Sequence, residues 1–251
     1  MKRFAVLAAA ALALALPSAV LATHSWGGYH WARTSSPFTL KVIDSVDSSW
    51  DGYLLTTISD WSTPVVTGAP DVLDLLRQDG AVTKNCKGTS GKVQICNGRY
   101  GYNGWLGLAQ IWISGLHITK GTAKMNDSYF SLPQYNNSAE KNHVLCQEVG
   151  HTFGLDHQDE SGATLGTCMD YSSSESSQHP NKHDYDELAI IYAHLDSTTT
   201  LASSADGGPG KGKPQKIRDD LWVEDLGNGV KRFTFVYWVD RGTSHEFPQV
   251  D

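Results

Sequence analysis

Gln147 to His157 reads QEVGHTFGLDH, and the spacing of its polar residues governs how the rest of the chain is read. On a helix, Gln147 and His151 stand at i and i+4, on one face about one turn apart. Glu148 is rotated by about 100° and flanks that face, where it can reach a metal-bound water without being a ligand. Gly154 permits the positive φ that ends a helix. The chain can then turn back and bring His157 to the same ion. Three such ligands leave the fourth position of a tetrahedral zinc open, as a catalytic site requires.

With a histidine at position 147 the stretch would read HExxHxxGxxH. Together with TCMDY at Thr167 to Tyr171, it resembles the metzincin clan of zinc endopeptidases, and within it a matrixin-like protein. The specific resemblance covers about Val144 to Tyr171, and a looser one, in the order of elements, runs from about Phe38 to Leu195. It implies an α+β catalytic domain with a twisted, mainly parallel sheet, two long helices and a C-terminal subdomain helix. It also implies a turn that places Met169 under the metal, with Tyr171 two residues on to bind the metal or aid an oxyanion. The function implied is a secreted, zinc-dependent endopeptidase acting on protein or peptide substrates. Gln147, His151 and His157 would hold Zn2+, and Glu148 would serve as general base and then general acid.

Gln147 departs from that pattern. Gln Oε1 and His Nε2 are each three bonds from Cβ, so the reach is similar, but an amide oxygen is a poorer zinc donor than imidazole. His143 is no substitute, because eight helical residues put it about 12 Å along the axis from His151. The rival reading is a secreted, non-catalytic binding protein on the same scaffold that has lost its zinc. Such a protein would use the aromatic stretch of Tyr100, Tyr102 and Trp105, or its tail.

Working outward, Met1 to Ala22 has Lys2 and Arg3, an Ala/Leu-rich run and a small-residue end, the pattern of a secretory signal peptide. Its removal takes two of the 20 basic residues and no acid, so the net charge of −7 becomes −9. That argues against nucleic acid as a partner, and no second apolar run is long enough to cross a membrane. The organisation expected is a signal peptide at 1–22, a metallopeptidase-like domain at 23–196, a flexible linker at 197–219 and a β-hairpin tail at 220–251. Alternation predicts a strand at Phe38–Val46, and helical spacing predicts a helix over Trp50–Trp61. Strands follow at Gly91–Tyr100, Gly107–Ser114 and Leu116–Asn126. His117 lies in the last of these, as a core or edge histidine. The catalytic helix starts near Ser138, a candidate N-cap, and Asn181–Asp196 reads as a further helix.

Four cysteines allow three pairings. In a secreted chain disulfides are favoured over thiols, with Cys86–Cys96 closing a short loop and Cys146–Cys168 tying the helix to the methionine turn. The alternative for Cys146 is a thiolate ligand replacing the missing histidine. Asp156, Asp159, Glu160 and Asp170 could hold Ca2+, but they lack the spacing of a regular calcium loop. His179 and His183 are separated by Pro180, which favours cap or surface roles. Asn126 and Asn136 head N-x-S triplets that are glycosylation acceptors only in a eukaryotic secretory pathway. In the tail, LWVEDL and VKRFTFVYWV flank Gly227-Asn228-Gly229 as a hairpin, which must dock, dimerise or bind a partner to be stable.

Overall fold

The computed structural model describes residues 24–202, 212–239 and 245–248. The expected signal segment lies outside these, as do 203–211 of the linker and 240–244 and 249–251 of the tail. A short strand β1 (His30–Trp31) precedes β2 (Phe38–Ser45), whose inward residues Phe38, Leu40 and Val42 are buried as its alternation requires. Helix α1 (Asp51–Ser62) buries Leu54 and Trp61. Strands β3 (Leu73–Asp79), β4 (Lys92–Gly98), β5 (Trp105–Ser114) and β6 (His117–Asn126) follow. A single turn α2 (Asp127–Phe130) leads to α3 (Ser138–His151), and α4 (Lys182–Ile191) comes after the methionine turn. The tail contributes β7 (Gln215–Arg218), β8 (Leu221–Gly227) and β9 (Val230–Trp238).

Among the described residues all nine strands form one sheet in the order β3-β2-β4-β6-β5-β9-β8-β7, with β1 beside β6. The class is α+β, but the sheet is mixed rather than mainly parallel. Strands β1, β2, β3, β4 and β6 pair in parallel, whereas β5, β9, β8 and β7 pair antiparallel. The physical reason is the hairpin, which continues the sheet across β5 from Trp105↔Trp238 to Ser114↔Val230. Strand β5 is therefore central and buried from Trp105 to Ile113.

Two layers cover the sheet near β5. On one face α3 approaches so closely that a Cβ on Gly107 would fall 2.5 Å from Val144 Cγ1 and 2.7 Å from Glu148 Oε1. On the other, Trp105, Leu108, Trp222, Val236 and Trp238 make a separate aromatic cluster. Trp105 is thus buried under Tyr100 and Tyr102 alone of the three is well exposed, so they form no open stacking platform.

Several boundaries differ from expectation for local reasons. Asn137, not Ser138, caps α3, its side chain accepting from Glu140 N–H. Helix α4 begins with a capping box between Asn181 and Asp184 and ends at Ile191, short of the expected Asp196. Strand β3 was not expected, because LDLLRQD at the sheet edge buries only Leu73 and Leu75. Asn126 is fully buried, and its amide donates to Gly101 O, Asn103 Oδ1 and Trp105 O while accepting from Tyr100 and Ser128 N–H. That side chain is a fold hub and has no room for a glycan. No described helix is long and apolar enough to cross a membrane.

Candidate functional site

Helix α3 carries Gln147, Glu148 and His151, all buried, on the side turned toward β5 and β9. Its position is set from below. A Cβ on Gly150 would lie 2.6 Å from Met169 Sδ and 2.9 Å from Trp61 Cζ2, so only glycine lets the methionine turn and α1 pack this close. The cysteines pair as Cys86–Cys96 and Cys146–Cys168, the second joining α3 to that turn. Cys146 is therefore not a thiolate. Trp61 Nε1–H donates to Cys146 O at 3.2 Å and adds a third tie. Thr152 caps the helix, and Gly154 takes φ 102° with its Cα packed against Tyr29 O. Any Cβ there would be strained and blocked.

The turn returns His157 to His151, their rings 4.6 Å apart and nearly perpendicular. His151 Nδ1–H donates to Leu155 O at 2.9 Å, leaving Nε2 as the free-pair nitrogen. His157 Nδ1 lies 3.0 Å from Asp220 Oδ2, which likewise leaves Nε2 for another partner. Metal-bound histidines use such contacts on the second nitrogen to fix tautomer and ring plane. Tyr171 packs against His157, ring centroids 4.2 Å apart and tilted by 43°, and its hydroxyl donates to Asp220 Oδ2 at 2.6 Å.

The protonation states follow from burial and from Asp220. Burial, then the neighbouring His157, lowers His151 to about 3. Burial also disfavours charge on His157, but contacts with Asp220 and Glu160 outweigh it and raise its pKa to about 9. Burial lifts Glu148 well above the ordinary carboxyl value, against the pull of His157. Burial would raise Asp220 as well, yet His157 and Arg218 hold it well below the usual range. Tyr171 is raised well above its ordinary value by burial and by Asp220.

The remaining expected groups are spent separately. Arg218 bonds to Asp156, Asp220 and Glu160, so a guanidinium already neutralises the acids beside His157. Asp159 accepts from Ser161 and Ala163, and the fully buried Asp170 accepts from Leu165, Ser172 and Ser177. Asp156 and Glu160 do come together with His157, their ligand atoms all within 4.8 Å of one another, whereas Asp159 and Asp170 are engaged by their own loops. His143 Nε2–H donates to Asp170 O at 2.9 Å. His179 meets Asp60 at 2.6 Å, while His183 stacks on His24, so the two share no site.

Whether these residues fit a metal turns on Gln147. Both of its amide atoms are buried with no hydrogen-bond partner, and so is Glu148 Oε2. A buried amide without a partner costs on the order of 1–3 kcal/mol, a cost that coordination of a cation through Oε1 would offset. The two imidazoles suit zinc, and the amide oxygen of Gln147 is the weaker third donor.

The sequence did not point to what covers this site. Phe235 of β9 lies flat on His151, centroids 4.2 Å apart at 12°, and Tyr237 approaches Tyr171 and His143. Asp220 and Arg218 come from the same C-terminal segment. The run FVYW from Phe235 to Trp238 was the available signal, since a strand covered on both faces loses its alternation. No protein-family model matches the chain, and no curated protein matches it significantly.

Proposed function

We propose that the chain is a secreted zinc-dependent endopeptidase of metzincin-like design, held shut by its own C-terminal hairpin. The observation that carries this reading is the buried, partnerless amide of Gln147 one helical turn from His151, with Glu148 Oε2 equally unsatisfied beside it. Gln147, His151 and His157 would hold the ion. When bound, zinc supplies Lewis acidity to a substrate carbonyl and makes a water more acidic. Glu148 accepts a proton from the attacking water and passes it to the leaving nitrogen, a role that needs no bond to metal. Leu155 O and Asp220 fix the two imidazoles, and Met169 under Gly150 fixes the depth of the helix. Tyr171, beside His157, is placed to donate its hydroxyl to a developing oxyanion once Asp220 releases it.

In this reading an extended peptide takes the place of β9. Strand β5 runs directly over Glu148, and without β9 its outer N–H and C=O groups form an edge suited to adding a strand. Strands β7 to β9 must therefore leave β5 before substrate enters. The same cover supports the rival reading, a binding protein whose site is permanently sealed by Phe235.

The test is zinc titration and casein cleavage with the wild type, Gln147→Ala, Gln147→His and Glu148→Gln. Gln147→Ala should lose one zinc equivalent together with cleavage, and Gln147→His should bind that equivalent at least as tightly as the wild type. Glu148→Gln should keep zinc while cleavage falls by roughly 10²–10⁴-fold, the usual worth of general acid–base catalysis. Normal zinc binding and activity in Gln147→Ala would show that the site is wrongly assigned. Zinc bound by Gln147→His but not by the wild type would favour the binding-protein reading.

A further inference from the structure

A second cluster of ligand-type side chains lies on the side of β1. The parallel register of β1 on β6 sets His30 directly beside His117. Helix α4 stops at Ile191, and the segment after it carries His194 and Asp196 to the same place. Asp196 is pinned there twice: its N–H donates to Arg33 O at 2.8 Å, and Arg33 N–H donates to Asp196 Oδ2 at 3.1 Å. The other oxygen, Oδ1, faces three ring nitrogens. The Nε2 atoms of His117, His30 and His194 lie 3.2, 3.4 and 3.6 Å from it. The ligand atoms of His30, His194 and Asp196 all fall within 4.8 Å of one another. The rings of His117 and His194 stand at 82° and 85° to that of His30.

His30 shows what the cluster lacks. Its Nδ1 is 3.0 Å from Gly28 O, which can only accept, so that nitrogen carries the proton. The neutral ring then turns the Nε2 lone pair toward a carboxylate oxygen, an arrangement that requires a cation or a second proton between them. Protons alone serve the cluster poorly, because one carboxylate oxygen offers about two lone-pair sites and three rings face it. A single metal ion serves His30, His194 and Asp196 at once, since their ligand atoms all lie within 4.8 Å of one another; His117 stands outside that group and meets Asp196 Oδ1 from the side. With metal–ligand bonds of about 2.0–2.1 Å, the edges of a zinc tetrahedron are about 3.3–3.4 Å. The separations of Asp196 from His30 and His194, 3.4 and 3.6 Å, lie at or just above that edge. Gly28 O behind His30 and Arg33 N–H behind Asp196 are the orienting contacts that metal ligands ordinarily have.

We infer that His30, His194 and Asp196 form a three-ligand site for a divalent transition-metal ion, with zinc matching its donors and its edge lengths and His117 orienting Asp196 from outside. Such an ion keeps one tetrahedral position for solvent. It would lock the N-terminal segment to the chain after α4. That segment braces the candidate active site: Trp26 Nε1–H donates to His151 O at 3.3 Å, Trp31 Nε1–H donates to Thr152 O at 2.9 Å, and Tyr29 O packs on Gly154. The side chains of His117 and His194 are 35% and 57% exposed, which gives the ion a way in.

The experiment is zinc titration against a chromophoric chelator, on tag-free, metal-stripped full chain, with thermal unfolding read in parallel. The variants are His194→Ala and His117→Ala at these partly exposed positions, and His151→Ala at the other site. His194→Ala and His117→Ala should each weaken one zinc equivalent by at least about tenfold, since even outer-sphere partners are worth about 10–100-fold. They should also lose the zinc-induced rise in Tm, while His151→Ala keeps it. A single zinc lost in His194→Ala and kept in His151→Ala supports this site and removes the zinc reading of Gln147. Zinc binding and Tm unchanged in both His194→Ala and His117→Ala overturns the inference, as does a wild-type chain that binds no zinc or only a zinc lost in His151→Ala.

Discussion

Asp220 holds together two residues with different tasks. Its Oδ2 accepts the Tyr171 hydroxyl at 2.6 Å and faces His157 Nδ1 at 3.0 Å, while Oδ1 accepts from Arg218 at 2.7 Å. With the hairpin docked, the Tyr171 hydroxyl is occupied, so a role at an oxyanion belongs to the open form. Tyr171→Phe should then have two effects. It should loosen the docked hairpin by about 1.5–3 kcal/mol, the worth of a hydrogen bond to a charged group, read as faster amide exchange in β9. It should also lower kcat more than it raises KM, by roughly 10–1,000-fold on the scale of other oxyanion donors. Faster exchange with unchanged kcat would make Tyr171 a latch alone. That Gln147, Glu148 and His151 share one helix was legible from their spacing. Asp220 and Arg218 were not, because ion pairs between distant segments leave no periodic trace in a sequence.

The methionine turn and α3 are separate elements held as one by Cys146–Cys168, whose partners stand 22 residues apart. Closing a loop of that size is worth about 3 kcal/mol. Replacing both cysteines by serine should therefore lower Tm by roughly 6–12 °C, at about 2–4 °C per kcal/mol for a chain of this size. Zinc affinity at Gln147 should fall with it, because Met169 would no longer be fixed under Gly150. An unchanged Tm would mean that packing alone seats the turn. At this scale the strongly periodic segments could be read: β2, α1, α3 and α4 lie close to where alternation or helical spacing puts them. The edges could not. β3 buries one sparse row of leucines, and β7, read as linker, is four largely exposed residues recruited by β8. The hairpin itself was evident from its turn and flanking runs, but its docking partner was not. The pairing of β5 with β9 spans more than a hundred positions of chain, and local pattern carries no information about such pairings.

At the scale of the whole molecule, one sheet serves two halves with opposite demands. The parallel half, with α1 and α3 on it, builds the candidate site, which in a peptidase would need access to solvent. The antiparallel half completes the sheet by covering that site, and Phe235 is where the two meet. Its ring is fully buried, in contact with His151 on one side and with Trp26. Truncating a buried phenylalanine to alanine costs about 3–5 kcal/mol. In Phe235→Ala much of that loss falls on the docked state of β9, because α3 keeps its disulfide, its Trp61 bond and its contact with Met169. The endopeptidase reading therefore predicts that full-length Phe235→Ala takes up zinc faster and cleaves casein at least tenfold faster than the wild type. Adding Glu148→Gln to that variant should abolish the gain but not the faster zinc uptake. A sealed binding protein predicts otherwise: lower stability and no cleavage in either variant. If Phe235→Ala unfolds, Asp220→Asn is the gentler probe, since it removes the charge that holds His157 and Tyr171 to the hairpin while leaving the aromatic packing in place. Cleavage that rises in neither variant, with amide exchange showing β9 released, would rule out the hairpin as the element that holds a peptidase shut.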